Sequence, residues 1–308
     1  MSRRPQSPTF TNYLCNRREI DCRSAASEEF LSRTAVHAGL VSVITVTFNS
    51  AATVRRTIDS VRQQSYSNIE FLVIDGGSND ETLEMLDQNL DVIDFWLSEP
   101  DRGISDAFNK GIALSRGEFI ALVNSDDWLE PTHIETSVNA LKLSNADFTF
   151  GDITVHEYSG SPLYTVRGEP RYDRRIRNAM PDLNHPSVVC RRTVYERYGL
   201  YDLNLRIAMD YEWFLRGFCL GVRGEYLSGL VSHMLDGGIS NRNILRSLSE
   251  VRSVSIWYGY SPFLAWARFV SRIVRSRVRL TLEKTVSRKM TEHLRGLLHP
   301  RFRPYHRG

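Results

Sequence analysis

Between Val41 and Phe150 the chain alternates short β-branched or aliphatic runs with stretches whose apolar residues recur every three or four positions. Val41–Thr47, Ile69–Ile74, Val92–Leu97, Glu118–Val123 and Asp147–Phe150 have strand character. Between them Val54, Ile58 and Val61, then Leu83, Leu86 and Leu90, then Ile104, Phe108 and Ile112, then Ile134, Val138 and Leu141 each mark one helix face. Asn49 or Ser50 is placed to cap the first of these helices, and Ser78 or Asn79 the second. Such alternation predicts a doubly wound α/β fold, its mostly parallel sheet flanked by helices. Within it, the run from Glu118 to Val123 is continuous rather than alternating, which marks a central strand covered on both faces. That run ends abruptly in Asn124-Ser125-Asp126-Asp127.

Beyond Gly151 the pattern is weaker. Ile153–Val155 and Leu163–Val166 read as a hairpin, and Arg191–Tyr198 and Asp210–Leu220 as helices. From Asn241 onward the chain reads as largely helical to its end. Residues 1–40 are polar and rich in Ser and Arg, the composition of a disordered extension. The expected organisation is therefore an extension over 1–40, a catalytic domain over 41–242 and a basic helical C-terminal region over 243–308.

With 42% hydrophobic and 24% charged residues, the chain has ample material for a core. Its four cysteines are dispersed without metal-ligand spacing, which suits a reducing compartment. No apolar run approaches the ~20 residues that span a bilayer, and no apolar segment follows the basic start as in a secretory signal. The net charge of +3 hides an asymmetry, because the segment from Ser261 carries a net +10 and the remainder −7. An acidic body is a poor nucleic-acid binder, and none is expected. The tail alternates instead: Phe263, Trp266, Phe269 or Val270, Ile273 and Val274 on one side, Arg268, Arg272, Arg275 and Arg279 on the other. This pattern over 262–282 predicts a helix lying on an anionic membrane surface, or one packing its aromatics on the domain with a solvated basic face. The first option places the protein in the cytoplasm at the inner face of the cell membrane.

Three acidic positions fall at strand ends: Asp75, Asp101 and the Asp126-Asp127 pair. In an open parallel sheet these ends share one edge, where ligands bind. Paired carboxylates there suit a divalent cation holding a phosphate, or simply cap the helix that Glu130-Pro131 opens. Asp75-Gly76-Gly77 is either a plain turn or a loop that lets backbone approach a ligand. Arg102 is either a solvated loop residue or a planar fork for phosphate. A metal and an arginine on one edge would together neutralise a diphosphate.

Val43-Ile-Thr-Val-Thr-Phe-Asn-Ser50, Ile74-Asp-Gly-Gly-Ser-Asn-Asp80, Ser98-Glu-Pro-Asp-Arg-Gly-Ile-Ser-Asp-Ala-Phe-Asn-Lys-Gly111, Asn124-Ser-Asp-Asp127, Asn184-His-Pro-Ser187, Ile207-Ala-Met-Asp-Tyr-Glu212 and Gly237-Gly-Ile-Ser240 follow in order. The series resembles the bacterial family 2 glycosyltransferases of GT-A fold, inverting enzymes that use nucleotide-diphosphate sugars. It covers roughly residues 41–242. The resemblance implies that Thr47, Phe48 and Asn49 line the nucleotide pocket and that Asp75, with Gly76 beside it, recognises the base. Arg102, Asp106 and Ser125 would help hold the donor. Asp126 would touch a magnesium or manganese ion bridging the diphosphate, with Asp127 compensating for Asn124, which stands where the motif has an acid. Asp210 matches the general base, and His185 would sit near the acceptor, a glycan or lipid-linked molecule of surface polysaccharide or glycolipid assembly. Without the resemblance, Asp210 reads as a simple N-cap, and His185 as a turn residue. His233 is a further candidate to approach the metal, and the Gly237-Gly238 loop a candidate lid. Two other functions compete. Nucleotidyl transfer would call for a Gly- and Lys-rich phosphate loop near the first strand, which Thr47-Phe-Asn-Ser50 does not supply. A non-catalytic glycan- or nucleic-acid-binding protein would have no need of Asp75, Asp126, Asp127 and Asp210.

Overall fold

The computed structural model describes residues 23–24, 35–177, 179–238, 243–285 and 302–304. The strands are β1 (Arg23–Ser24), β2 (His37–Thr47), β3 (Ile69–Asp75), β4 (Phe95–Ser98), β5 (Gly117–Asn124), β6 (Asp127–Leu129), β7 (Phe148–His156), β8 (Pro162–Val166), β9 (Val189–Arg191), β10 (Gly224–Leu235) and β11 (Phe302–Pro304). The helices are α1 (Val54–Arg62), α2 (Thr82–Asp87), α3 (Ile104–Leu114), α4 (His133–Leu143), α5 (Arg192–Tyr198), α6 (Met209–Cys219), α7 (Ile244–Trp257) and α8 (Pro262–Thr285). The strands form one sheet in the order β1-β4-β3-β2-β5-β9-β7-β10-β6, with β8 on β7 and β11 on β8.

The contiguous strands β4, β3, β2 and β5 are all parallel, as the alternation predicts. Their side chains segregate with period two. Ile44, Leu72, Ile74 and Leu122 enter one core with Phe108 and Ile112 of α3. Val43, Phe71, Val73 and Ala121 enter the other with Ile58 of α1 and Val138 of α4. Each such buried aliphatic contributes roughly 1.5–3 kcal/mol. Two buried faces explain why these strands read as continuous apolar runs. On the α3 side the helix approaches so closely that a Cβ on Gly111 would stand 2.3 Å from Ile44 Cγ2.

The second half departs from a purely parallel sheet. Strand β9 pairs antiparallel with both β5 and β7, so it joins the parallel block to the parallel pair β7–β10. β7 and β8 form the expected hairpin, but β7 is one unbroken strand that absorbs both Asp147–Phe150 and Ile153–Val155. The C-terminal region is helical through α7 and α8, yet Phe302–Pro304 is extended and pairs with β8.

Four local expectations are corrected. β2 starts at His37, so residues 37–40 belong to the sheet; of the proposed extension, 1–22 and 25–34 lie outside the described residues. Helix α2 ends at Asp87, which leaves Leu90 beyond it and exposed. Neither Asn49 nor Ser50 caps α1 through its side chain: Thr53 occupies the cap, and the Ser50 carbonyl accepts from Val54 N. Glu81, not Ser78 or Asn79, precedes α2. The polar side chains released from capping are used to knit the loops at the sheet edge.

Candidate active site

Parallel register brings the strand ends together. Thr47 is level with Asp75, Asp75 with Ser98, and Val46 with Asn124. Asp75 is the hub of this edge. Its fully buried carboxylate accepts from Thr47 Oγ1 at 2.8 Å, Ser98 Oγ at 2.7 Å, and the backbone N–H of Gly77 and Ser78 at 3.0 and 2.8 Å. Ser78 Oγ adds another donor at 2.5 Å. A carboxylate so occupied is held in one orientation by the fold. Its work is to shape the Gly76–Ser78 loop, because each donor it binds belongs to the loop or to a flanking strand.

That loop is tied to the one after β2. Asn49 N donates to Ser78 Oγ at 2.7 Å, and Asn79 N to Asn49 Oδ1 at 3.0 Å. Asn49 reaches this geometry with φ of 50°, a left-handed conformation that asparagine tolerates. Phe48 stands exposed between the loops. Gly76 has no room for a side chain, since a Cβ would lie 2.6 Å from Asp101 Oδ2. Phe48 and the Gly76–Ser78 backbone thus stand together at the end of β2 and β3.

Arg102 and Asp106 act as a unit. Asp106, buried in the first turn of α3, accepts from Arg102 N at 3.1 Å and lies 3.4 Å from its guanidinium, which is largely exposed. The loop before α3 is anchored by the buried pair Lys110–Glu99 at 2.6 Å. Burial raises the pKa of Asp101, whose carboxylate accepts from Gly103 N.

At the end of β5, Ser125 Oγ is 2.8 Å from Ser50 Oγ, and Asp126 is half-buried. Asp127 is only 2% exposed and accepts from Asn124 Nδ2 at 2.8 Å. Its burial, and then the charge of Asp126, raise its pKa well above the ordinary value. Asp127 is therefore the buried member of the pair and Asp126 the more exposed one. Asn124 Oδ1 is a buried acceptor with no hydrogen-bond partner among the described residues.

His233 is occupied on both ring nitrogens, by Glu130 at 2.7 Å and by His156 at 2.9 Å, and stacks on Trp128 at 5.1 Å. This cluster was not foreseen; its members lie far apart in sequence, and the cross-strand register of β6 and β10 assembles them. It walls a cavity of about 610 Å³ that also touches Asp126 and Arg56. Asp126 lines that cavity, whereas Asp75, Arg102 and Asp210 do not.

Asp210 lies in the first turn of α6, half-buried, and burial moves its pKa up to about 6. Desolvation outweighs the hydrogen bond from Tyr211 N, yet at about 6 the carboxyl is still ionised near pH 7. Asp210 is near enough to the Tyr201 hydroxyl to raise its pKa, and Tyr201 is bonded to His185 Nε2 at 3.0 Å. Burial lowers the His185 pKa to about 4, so the ring is neutral near pH 7. The turn carrying it is fixed by Asn184, left-handed at φ 43°, whose amide donates to Gly151 O and Val166 O. His185, Tyr201 and Asp210 thus form one cluster. Gly237 and Gly238 are described, but Ile239 and Ser240 of the candidate lid lie outside the described residues.

A family model for glycosyl transferase family 2 matches residues 42–203, which include the strand ends from Thr47 to Asp127. The chain belongs to this family of glycosyltransferases. Membership makes it a transferase and accounts for the ordered motifs along the sheet edge. The chain is similar to an uncharacterised glycosyltransferase of Rickettsia prowazekii (strain Madrid E), 30% identical over 233 residues, 73% of this chain and 72% of that protein. Its fold resembles that of Staphylococcus aureus TarS, with a TM-score of 0.55 and 17% identity over 76% of this chain; it spans 43% of the TarS chain. It also resembles the mannosyltransferase PcManGT of Pyrobaculum calidifontis, solved with GDP-Man and Mn2+, with a TM-score of 0.52 and 16% identity over 84% of this chain and 81% of that one. These likenesses establish a GT-A-type α/β fold.

Proposed function

We propose that this family 2 glycosyltransferase moves a sugar from a nucleotide-diphosphate sugar to an acceptor hydroxyl by single displacement with inversion. The observation that carries the reading is Asp210, a half-buried carboxylate with a pKa of about 6, clustered with Tyr201 and His185 at the start of α6. A base poised there is ionised at neutral pH and strong enough to accept a proton in the transition state. In the displacement, the acceptor oxygen forms its bond to the anomeric carbon as its proton passes to Asp210. The bond from that carbon to the diphosphate breaks, and the nucleoside diphosphate leaves with the electron pair. The neutral His185, its ring held by the buried Tyr201 hydroxyl, orients the acceptor. On the donor side, Phe48, Asn49 and the Gly76–Ser78 backbone border the nucleotide, while the exposed Arg102 guanidinium, steered by Asp106, meets the diphosphate.

The donor set around Asn124-Ser125-Asp126-Asp127 is all oxygen, which suits magnesium or manganese. No group of three or more metal-ligating side chains is present among the described residues. That fits a hard cation held by one or two carboxylates and the phosphates it arrives with. Asp126 would hold it, with Asn124 Oδ1 and the buried Asp127 in support, and the cation would supply charge neutralisation for the departing diphosphate.

Helix α8 supports a lipid-borne acceptor. Phe263 is 76% and Trp266 56% exposed, and Val274 and Val278 continue the same stripe, whereas Ala265 is buried against the domain. Arg252 covers Phe269, and Ile273 packs beside Ile244 and Leu245 of α7. No helix among the described residues is long and apolar enough to cross a membrane. A stripe left exposed among the described residues, beside Arg275 and Arg277, suits an anionic bilayer surface, each cation adding about 1 kcal/mol near the headgroups. We place the protein at the inner face of the membrane, acting in polysaccharide or glycolipid assembly.

The test is turnover of a panel of nucleotide-diphosphate sugars with Mg2+ or Mn2+ present. Slow hydrolysis of one donor is expected, and no turnover or binding of any would overturn the reading.

A further inference from the structure

The segment 206–208, which leads into the helix carrying Asp210, makes no regular secondary structure of its own. Its conformation is held from outside by one side chain. Glu250, on α7, accepts from Arg206 N at 3.1 Å, Ile207 N at 2.9 Å and Ala208 N at 3.0 Å. Three successive backbone N–H groups converging on one carboxylate form an anion nest. Arg246, one turn earlier on α7, fixes the carboxylate with a 3.0 Å bond from Nε.

The clamped segment touches both halves of the site. The Arg206 guanidinium donates to the carbonyl of Arg102, and Ser105 Oγ, at the start of α3, bonds to Leu205 O at 3.1 Å and contacts Met209. Two residues beyond the nest stands Asp210. Further along α7, Ser255 Oγ lies 2.9 Å from Tyr211 OH, and Tyr258 OH donates to Glu212 at 2.5 Å. The first turn of α6 is therefore fastened along its length to α7, and to the donor loop on its other side. Helix α7 lies beyond the residues that the family model matches.

Resting on the proposed transferase reading, we infer that Glu250 is a positioning residue, which sets the placement of the Asp210 carboxylate relative to the donor loop by clamping the 206–208 backbone. A misplacement of about 1 Å costs on the order of 100-fold in rate, so a clamp at this point acts on turnover more than on donor binding. Fastening the first turn of α6 to α7 also holds it packed in the fold, and burial is what raises the pKa of Asp210.

The experiment compares full-length wild type, Glu250→Ala and Glu250→Gln. Hydrogen exchange is followed at the amides of 206–208, with thermal unfolding and donor kinetics on the active nucleotide sugar in Mn2+. In Glu250→Ala we expect these amides to exchange at least tenfold faster, kcat to fall on the order of 10- to 100-fold with KM for the donor within about twofold, and the acid limb of the pH profile to move down from about 6. Glu250→Gln, which keeps one acceptor oxygen, should recover part of kcat. Unchanged exchange, or a wild-type kcat and acid limb in Glu250→Ala, overturns the inference. A kcat loss matched by equal loss of folded protein and of donor binding does so too. A wild-type protein that turns over no donor fails the transferase reading instead, while the exchange measurement still decides whether the clamp exists.

Discussion

Replacing Asp210 by Asn tests the chemistry and the energetics of the site together. The substitution keeps size and polarity but removes the proton acceptor. A positioned general base contributes about 10²–10⁴-fold, which corresponds to ~3–5 kcal/mol of barrier, so transfer should fall by that factor. Donor affinity should hold, because the proposed base acts on the acceptor and is not a donor ligand. The pH dependence gives a second reading. With a pKa of about 6, only about one carboxylate in ten is ionised at pH 5, so wild-type turnover should rise nearly tenfold between pH 5 and 7 and then flatten. That acid limb should vanish in the variant. Stability gives a third reading. Folding raises this carboxyl from 3.8 to about 6, so the folded state binds the proton more tightly than the unfolded state does. The resulting penalty is absent below pH 3.8, grows through the interval to 6, and is fully present above it, amounting to ~3 kcal/mol. Asp210→Asn should therefore unfold at a higher temperature than wild type at pH 8, with the advantage shrinking toward pH 4. The assays are donor turnover with acceptor or water, and calorimetry across pH. A variant that keeps more than a tenth of wild-type transfer, or that retains the acid limb, refutes the assignment of the base.

Other substitutions probe other parts of the account. Asp126→Ala should weaken binding of a nucleotide diphosphate in Mn2+ by about 100-fold, measured by titration calorimetry, while Asp127→Asn should weaken it less because that carboxylate is the buried one. Lys110→Met removes the cation from Glu99, itself 4% exposed, and should cost about 3–5 kcal/mol in chemical denaturation. Gly111→Ala forces a methyl against Ile44 and should cost about 1–3 kcal/mol, lowering the melting temperature without changing which donor is used. For the tail, Phe263→Glu with Trp266→Glu should abolish sedimentation with anionic vesicles while leaving turnover of a soluble donor intact; unchanged sedimentation would count against membrane docking.

The parallel half of the fold was legible because its strands are buried on both faces and its helices carry clear stripes. Ile44 and Val43 enter opposite cores as their alternation requires. The second half was less legible for a physical reason: β9 is three residues long, and β6 is equally short, so neither carries a periodic pattern. Their places are fixed by partners distant in sequence. The site followed the same division. Strand ends such as Asp75 and Asp126 were foreseen at one edge, since topology puts them there. What each carboxylate does was not legible, because burial decides it. Asp75 has five donors inside the fold, Asp127 is the buried member of its pair, and Asp210 is desolvated despite its helix terminus. The Glu250 clamp had no sequence signal at all, since a glutamate on an amphipathic helix ordinarily reads as a solvated surface residue.

The central claim is an inverting single displacement, and the configuration of the first-formed product tests it most directly. With the donor that turns over, proton NMR at early times resolves the anomeric signal of the released or transferred sugar before mutarotation. An α-linked donor should yield the β anomer, and a β-linked donor the α anomer. A product that keeps the donor's configuration would contradict the account.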